Sequence, residues 1–200
     1  MAYVSCMPPE PPDHPDWDRL YETAAAQEGF FTTRQAADAG YSSQLLVHHA
    51  AGGRVSRVRR GIYRLVHFPV GEHEDLVTVW LWSEQEGVFS HQTALALHRL
   101  SDAMPAQIHL TLPSAWRARR FRVPEGVVLH HADVAKRERT WFGPVPITSV
   151  KRTLNDCARE GVSPDLLQQA TKQALHRGLV VRAELPDVRA SLKAFGGLPA

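Results

Sequence analysis

The spacing of apolar positions along the chain marks out its elements. Trp17, Leu20 and Ala24 recur at helical spacing behind Asp16, with Tyr21 near the same face. That pattern predicts a helix over 16–27, capped by Asp16 and ended by Gly29. Phe31 to Gly40 reads as a short second helix, with Thr32 or Thr33 as its cap and Gly40 placed for the left-handed conformation after the last turn. Ser42 is the cap of a third helix, 43–51, closed by Gly52 and Gly53. Ala36, Ala37 and Ala39 let helices approach closely, so the pair around Gly40 predicts a helix-turn-helix. From Arg54 to Leu65 the chain turns to Val, Ile and Tyr with Gly61 near the middle, which predicts a β-hairpin. Its alternation breaks at Arg59-Arg60-Gly61, placing the turn or a bulge there. A helix-turn-helix followed by a basic hairpin is a winged helix.

The second half has a different texture. An acidic helix is predicted over 71–85, with Leu76, Val79, Trp80 and Trp82 inward, then a helix from Ser90 to Leu100. Ile108, Leu110 and Leu112 alternate with His109 and Thr111, which predicts a half-buried strand over 107–112. Further strands are predicted over 126–131 and 145–147. Thr148 or Ser149 caps a helix over 150–159, Pro164 opens one to His176, and a last helix covers 184–194. The expected fold class is therefore α/β (α+β): a proline-rich leader without fixed structure over 1–15, a winged helix-turn-helix over 16–68, and a mixed α/β C-terminal domain over 69–200 with a small sheet and flanking helices.

Composition narrows the class. At 200 residues, 44% hydrophobic and 22% charged, the chain has the make-up of a folded globular protein. The longest apolar run, Leu76 to Trp82, is too short to cross a membrane, and Met1 to Pro9 lacks the pattern of a secretory signal. Two cysteines, Cys6 and Cys157, support neither a disulfide framework nor a four-cysteine zinc site. The expected compartment is the cytoplasm. The net charge of +2 hides a segregation. Between residues 30 and 66 stand Arg34, Arg54, Arg57, Arg59, Arg60 and Arg64 against Asp38 alone. Glu72, Glu74, Asp75, Glu84 and Glu86 then follow without a Lys or Arg among them. Clustered arginine of this kind is the footprint of a phosphate-backbone binder.

In a helix-turn-helix the second helix enters the major groove. Here it offers Ser42, Ser43, Gln44, Val47 and His48. Gln pairs with adenine, Ser reads either base type, and Val meets a thymine methyl. Arg34, Arg54, Arg57, Arg59, Arg60 and Arg64 are the candidate contacts to phosphates or the minor groove. The plainer alternative is a winged helix used on protein, with its arginines solvated. Arg117, Arg119, Arg120 and Arg122 form a second basic segment: a further nucleic-acid contact, a contact to an acidic partner, or a solvated loop. His91 and His98 share a helix face, and His130, His131 and Asp133 form another cluster. Adjacent histidines in a strand point to opposite faces and no helical His-x-x-x-His pair joins them, so polar packing is expected rather than a metal. Asp156 and Glu160 read as surface, and Cys157 as an inert core residue. No phosphate loop, nucleophile elbow or carboxylate pair is present. No catalytic residue, metal or cofactor is expected.

Phe31-Thr-Thr-Arg-Gln-Ala-Ala-Asp-Ala-Gly-Tyr-Ser, Val58-Arg-Arg-Gly-Ile-Tyr-Arg-Leu, Val88-Phe-Ser-His-Gln-Thr-Ala-Leu-Ala-Leu-His and Ile147-Thr-Ser-Val-Lys-Arg-Thr-Leu-Asn-Asp together resemble the AbiEi family of antitoxin regulators of phage-defence toxin–antitoxin operons. The likeness spans about residues 28–160. The resemblance implies a winged helix that binds inverted-repeat operator DNA and represses its own operon, with two copies on DNA. It further implies a C-terminal domain that counters a nucleotidyltransferase-like toxin, directly or indirectly. The proline-rich leader departs from the family pattern, and a nuclease-like extension of the kind some longer relatives carry is not expected. The alternative is a protein- or RNA-binding module that inhibits a toxin without sequence-specific DNA binding.

Overall fold

The computed structural model describes residues 14–102 and 104–199. The expected leader therefore lies, up to Asp13, outside the described residues. The fold is mixed α/β with two sheets, and the chain divides into two compact units, one ending at Trp82 and the other beginning at Ser83.

The first unit runs α1 (Trp17–Ala25), β1 (Phe30–Thr32), α2 (Thr33–Asp38), α3 (Ser43–Ala51), β2 (Val55–Arg59), β3 (Ile62–Leu65) and α4 (Glu74–Trp82). The predicted cap holds: Asp16 Oδ1 accepts from the Arg19 amide at 3.0 Å. The segment expected as one helix from Phe31 is instead a strand followed by a shorter helix. Phe30 and Phe31 are both buried, β1 pairs antiparallel with β3, and the Phe31 and Tyr63 rings stack across that pair at 5.9 Å. The helix starts only at Thr33 because Thr32 and Gln35 form a reciprocal capping box there. Gly40 has φ +83°, and its bare Cα lies against the backbone of His14 and Pro15, where a Cβ would stand 2.8 Å from the His14 carbonyl oxygen. Helices and sheet enclose a core built on Leu20, Phe31, Leu46, Val55, Tyr63 and Leu65. Each such side chain contributes about 1.5–3 kcal/mol on burial.

Where the sequence predicts a turn or a bulge, the hairpin of β2 and β3 has both. The register slips between Arg57 and Arg59, leaving Val58 as the extra residue of a bulge. Gly61 turns the chain at φ +77°. Its carbonyl accepts from the Thr33 amide at 2.9 Å and the Thr33 hydroxyl at 3.3 Å, which ties the hairpin tip to the start of α2.

α4 is shorter than the predicted 71–85. Every residue from Leu76 to Leu81 is buried, so it is buried all round rather than amphipathic. Glu84 and Gln85, at φ +56° and +65°, end any continuation. α4 packs on β1 and β3, which places it in the first unit, beyond the break expected near 68.

The second unit comprises β4 (Val88–Phe89), α5 (His91–Leu97), β5 (Ile108–Leu112), β6 (Val127–His131), β7 (Arg139–Phe142), β8 (Val145–Thr148), α6 (Val150–Glu160), α7 (Pro164–His176) and α8 (Pro186–Leu192). Its five strands are ordered β6-β5-β4-β8-β7. β5–β6 and β4–β8 are parallel; β4–β5 and β7–β8 are antiparallel. β4 is too short to show a period, and β7 is an edge strand with Arg139, Thr140 and Trp141 all exposed, so neither carries an alternating signal. α5 and α6 pack together, and α6 packs on α7 and α8 over a core around Leu95, Leu154, Leu167, Leu185 and Leu192. Cys157 lies in that core, where burial pushes its thiol far above the usual range.

Asp156 is not a surface residue. It is 5% exposed, accepts from Arg152 Nε at 2.9 and 2.8 Å, and accepts from Arg159 at 2.8 Å. Burial pushes its carboxyl above the ordinary range, against the pull of those two guanidiniums. Arg152 extends the network to Glu138 at 3.1 Å and Arg159 to Asp187 at 2.9 Å.

Candidate nucleic-acid interface

α3 packs against β2, so the helix expected to be the second of a helix-turn-helix and the first strand of the hairpin are neighbours. The helix keeps Leu46 in the core and half-buries Leu45, His49 and Ala50. Its outward face carries Ser43, Gln44, Val47, His48 and Ala51. Val47 is 64% exposed at the centre of that face, so an apolar side chain there contributes nothing to the core of this unit. Ser42 is exposed and its hydroxyl oxygen accepts from the Leu45 amide at 3.2 Å, which makes it the cap of α3. Its hydroxyl proton remains for an outside acceptor. His49 faces the other way, against Trp17 at 6.1 Å and Tyr41 at 5.5 Å between ring centroids. Burial, with Arg54 and His48 near, holds its pKa below the ordinary histidine value.

The arginines expected together on the hairpin separate into three groups. Arg57, Arg59 and Arg60 are exposed on β2 and at the turn. Arg54 precedes the strand, exposed, with its guanidinium 5.9 Å from the centroid of the Trp17 ring. Arg64 is withdrawn from the set. Its Nη2 donates to Glu74 Oε1 at 2.8 Å, to the Phe68 carbonyl at 3.0 Å and to the Pro69 carbonyl at 3.2 Å, while Nη1 reaches the Leu65 carbonyl at 3.3 Å. With a side-chain exposure of 14%, that guanidinium fastens β3 to the start of α4 instead of facing a phosphate. Arg34 is exposed on α2, one residue beyond the Thr33 that holds the hairpin tip.

The second basic segment is partly engaged within its own unit. Arg119 pairs with Glu84 at 3.0 Å and lies 3.8 Å from the centroid of the Trp116 ring, and Arg117 donates to the His131 carbonyl at 3.3 Å. Arg120 and Arg122 are exposed. The histidines also regroup. His98 leaves the proposed pairing: its Nε2 meets the Thr148 carbonyl at 2.7 Å. His91 and His130 do meet, and the third member is His109, which the strand alternation had marked only as a polar position. Among the described residues no helix is long and apolar enough to cross a membrane.

No curated protein matches the chain. Among solved structures, the crystal structure of the RV2827C protein from Mycobacterium tuberculosis is similar at 12% identity and a TM-score of 0.41, covering 88% of this chain and 80% of that one. A further likeness is local: residues 18–66, which take in α2, α3, the hairpin and nearly all of α1, match the family described as transcriptional regulator, AbiEi antitoxin.

Proposed function

We propose that this chain is an antitoxin and transcriptional regulator that binds operator DNA through its first unit. α3 enters the major groove with Ser43, Gln44, Val47 and His48 at the base edges, and Arg57, Arg59 and Arg60 meet flanking phosphates with Arg34. Arg54 is a peripheral contact, limited by its place over Trp17. The observation that carries this reading is the outward face of α3, which leaves Gln44 and an apolar Val47 in solvent beside a strand of exposed arginines. The arginines of the adjoining strand can hold phosphates while the side chains of that face meet base edges. The bound protein represses its own operon from an inverted repeat, and the second unit counters a nucleotidyltransferase-like toxin.

Footprinting on DNA upstream of the protein's own gene tests the first part. The expected result is protection of paired half-sites, with log affinity falling against log salt at a slope of about −3.6 per bound chain for the phosphates met by Arg34, Arg57, Arg59 and Arg60. Affinity independent of salt would rule the interface out. Co-expression with the neighbouring gene product tests the second: growth arrest by a nucleotidyltransferase-like protein should be relieved by the full chain.

A further inference from the structure

The second unit contains a cluster that regulation of an operon does not use. His91 opens α5, His109 lies on β5 and His130 on β6, and each offers a ring nitrogen within 4.8 Å of the other two. His109 Nδ1 is 3.0 Å from His130 Nε2. The His91 ring stacks on that of His130 with centroids 3.7 Å apart. His91 adopts φ +50°, a left-handed backbone that a β-substituted residue takes at a cost.

We propose that His91, His109 and His130 form a binding site for one divalent cation of the zinc class, with solvent in the fourth position. A zinc ion takes imidazole nitrogen at about 2.0–2.1 Å, so a tetrahedral set needs nitrogens about 3.4 Å apart. The close pair, at 3.0 Å, opens by a few tenths of an ångström to reach that, and the other separations, none above 4.8 Å, close by no more than about 1.4 Å. Occupancy turns the His91 ring out of its stack, so that its lone pair and not its face meets the ion.

The surroundings suit a cation. Burial pushes the pKa of all three rings below the ordinary range, His91 to about 3, reinforced at His91 by His130 and His109 and opposed at His109 and His130 by the Glu160 carboxylate. At neutral pH each ring is therefore uncharged and keeps a lone pair. Ligand histidines are oriented through their other nitrogen. Here His91 Nδ1 lies 2.9 Å from Ser90 Oγ, which accepts from the Thr111 hydroxyl at 2.7 Å. His130 Nδ1 lies 3.8 Å from Glu160 Oε2. The Nε2 atoms of both rings are thereby left for the ion. A cavity of about 230 Å³ adjoins the cluster, lined among others by Thr111, His131, Asp156 and Glu160, with room for a metal-bound solvent molecule. Arg152 and Arg159 also line it, and their charge is matched by Asp156, Glu138 and Asp187. The buried Nε2 of His131 has no hydrogen-bond partner among the described residues, a polar atom left over beside this space.

The test uses the full chain, stripped with a chelator and titrated with Co²⁺ and then Zn²⁺. The expected result is one equivalent of Co²⁺ with the visible absorption of a four-coordinate ion, displaced by Zn²⁺. His109→Gln and His130→Gln each abolish the band and weaken zinc binding at least about 100-fold, and Glu160→Gln weakens it about 10- to 100-fold. His49→Gln leaves it unchanged. Absence of uptake by the unaltered protein, or full uptake by both cluster variants, overturns the proposal. Should a variant fail to fold, imidazole resonances of the unaltered protein decide: zinc must shift His91, His109 and His130 and spare His98.

Discussion

α3 and α6 are helices of similar length that treat their polar residues in opposite ways. α3 turns Ser43, Gln44 and His48 to solvent. α6 buries Thr153, Asn155 and Asp156 and pairs each of them. Thr153 donates to the Thr148 and Ser149 carbonyls, Asn155 donates to the Lys151 and Glu184 carbonyls and accepts from the Asp187 amide, and Asp156 holds two arginines. A buried polar group without a partner costs about 1–3 kcal/mol, so α6 has closed its accounts inside the fold. α3 has left its own open to whatever docks on it. The arginines divide the same way: Arg64 is a structural tie, whereas Arg57, Arg59 and Arg60 face outward.

The largest effect should come from breaking the closed side. Asp156→Ala leaves Arg152, whose side chain is 14% exposed, with Glu138 as its remaining acidic partner. A loss of about 3–5 kcal/mol is expected in urea denaturation, while a loss below about 1 kcal/mol would show that α6 does not depend on the network.

Arg64→Ala comes next. It should cost about 1–3 kcal/mol in stability and leave the salt slope of DNA binding unchanged. Arg59→Ala and Arg60→Ala should do the reverse, each making the slope shallower by about 0.9 with the melting temperature unmoved. An equal effect of all three on the slope would erase the distinction.

A smaller effect is set by pH. Burial holds the pKa of His98 below its ordinary value, and its hydrogen bond to Thr148 offsets this only in part. The unfolded chain therefore takes up that proton first. The stability that His98 contributes is complete above about pH 6.5 and is lost as pH falls from there towards the lowered value, adding at most about 1.4 kcal/mol per pH unit to a slope to which His49, His91, His109 and His130, lowered likewise, also contribute. Denaturant midpoints measured across this window should flatten in His98→Gln, and an unchanged slope would remove His98 from the account. Smallest of all, Gln44→Ala should change stability by less than about 0.5 kcal/mol. Its effect belongs to base preference at one position of the half-site, read by binding to single-base operator variants.

What could be read from the sequence was local. The caps at Asp16, Ser42 and Ser149, the turn at Gly40, the bulge and turn before Ile62, and the helix opened by Pro164 each depend on residues a few positions apart. What escaped depends on distant partners. β1 is a strand because β3 lies beside it, and β4 because β5 and β8 flank it. Arg64 looked like its neighbours until Glu74 claimed it across a loop. Asp156 looked solvated because its counter-ions, one turn away on either side, also suit an exposed helix. His109 was hidden by good strand alternation, since the residues that give it meaning lie 18 and 21 positions away.

The clasp made by Arg64 reaches beyond stability. With its centre strand tied at Glu74 and its tip tied at Thr33, the β2–β3 ribbon is held at two points before any duplex arrives. A ribbon so held surrenders little conformational entropy on docking, and each flexible side chain that would otherwise need ordering costs an association about 0.5–1.5 kcal/mol. On the proposed DNA-binding reading, cutting the clasp would therefore leave every phosphate contact available and still slow or weaken capture of the operator, because the arginines would have to find their spacing afresh at each encounter.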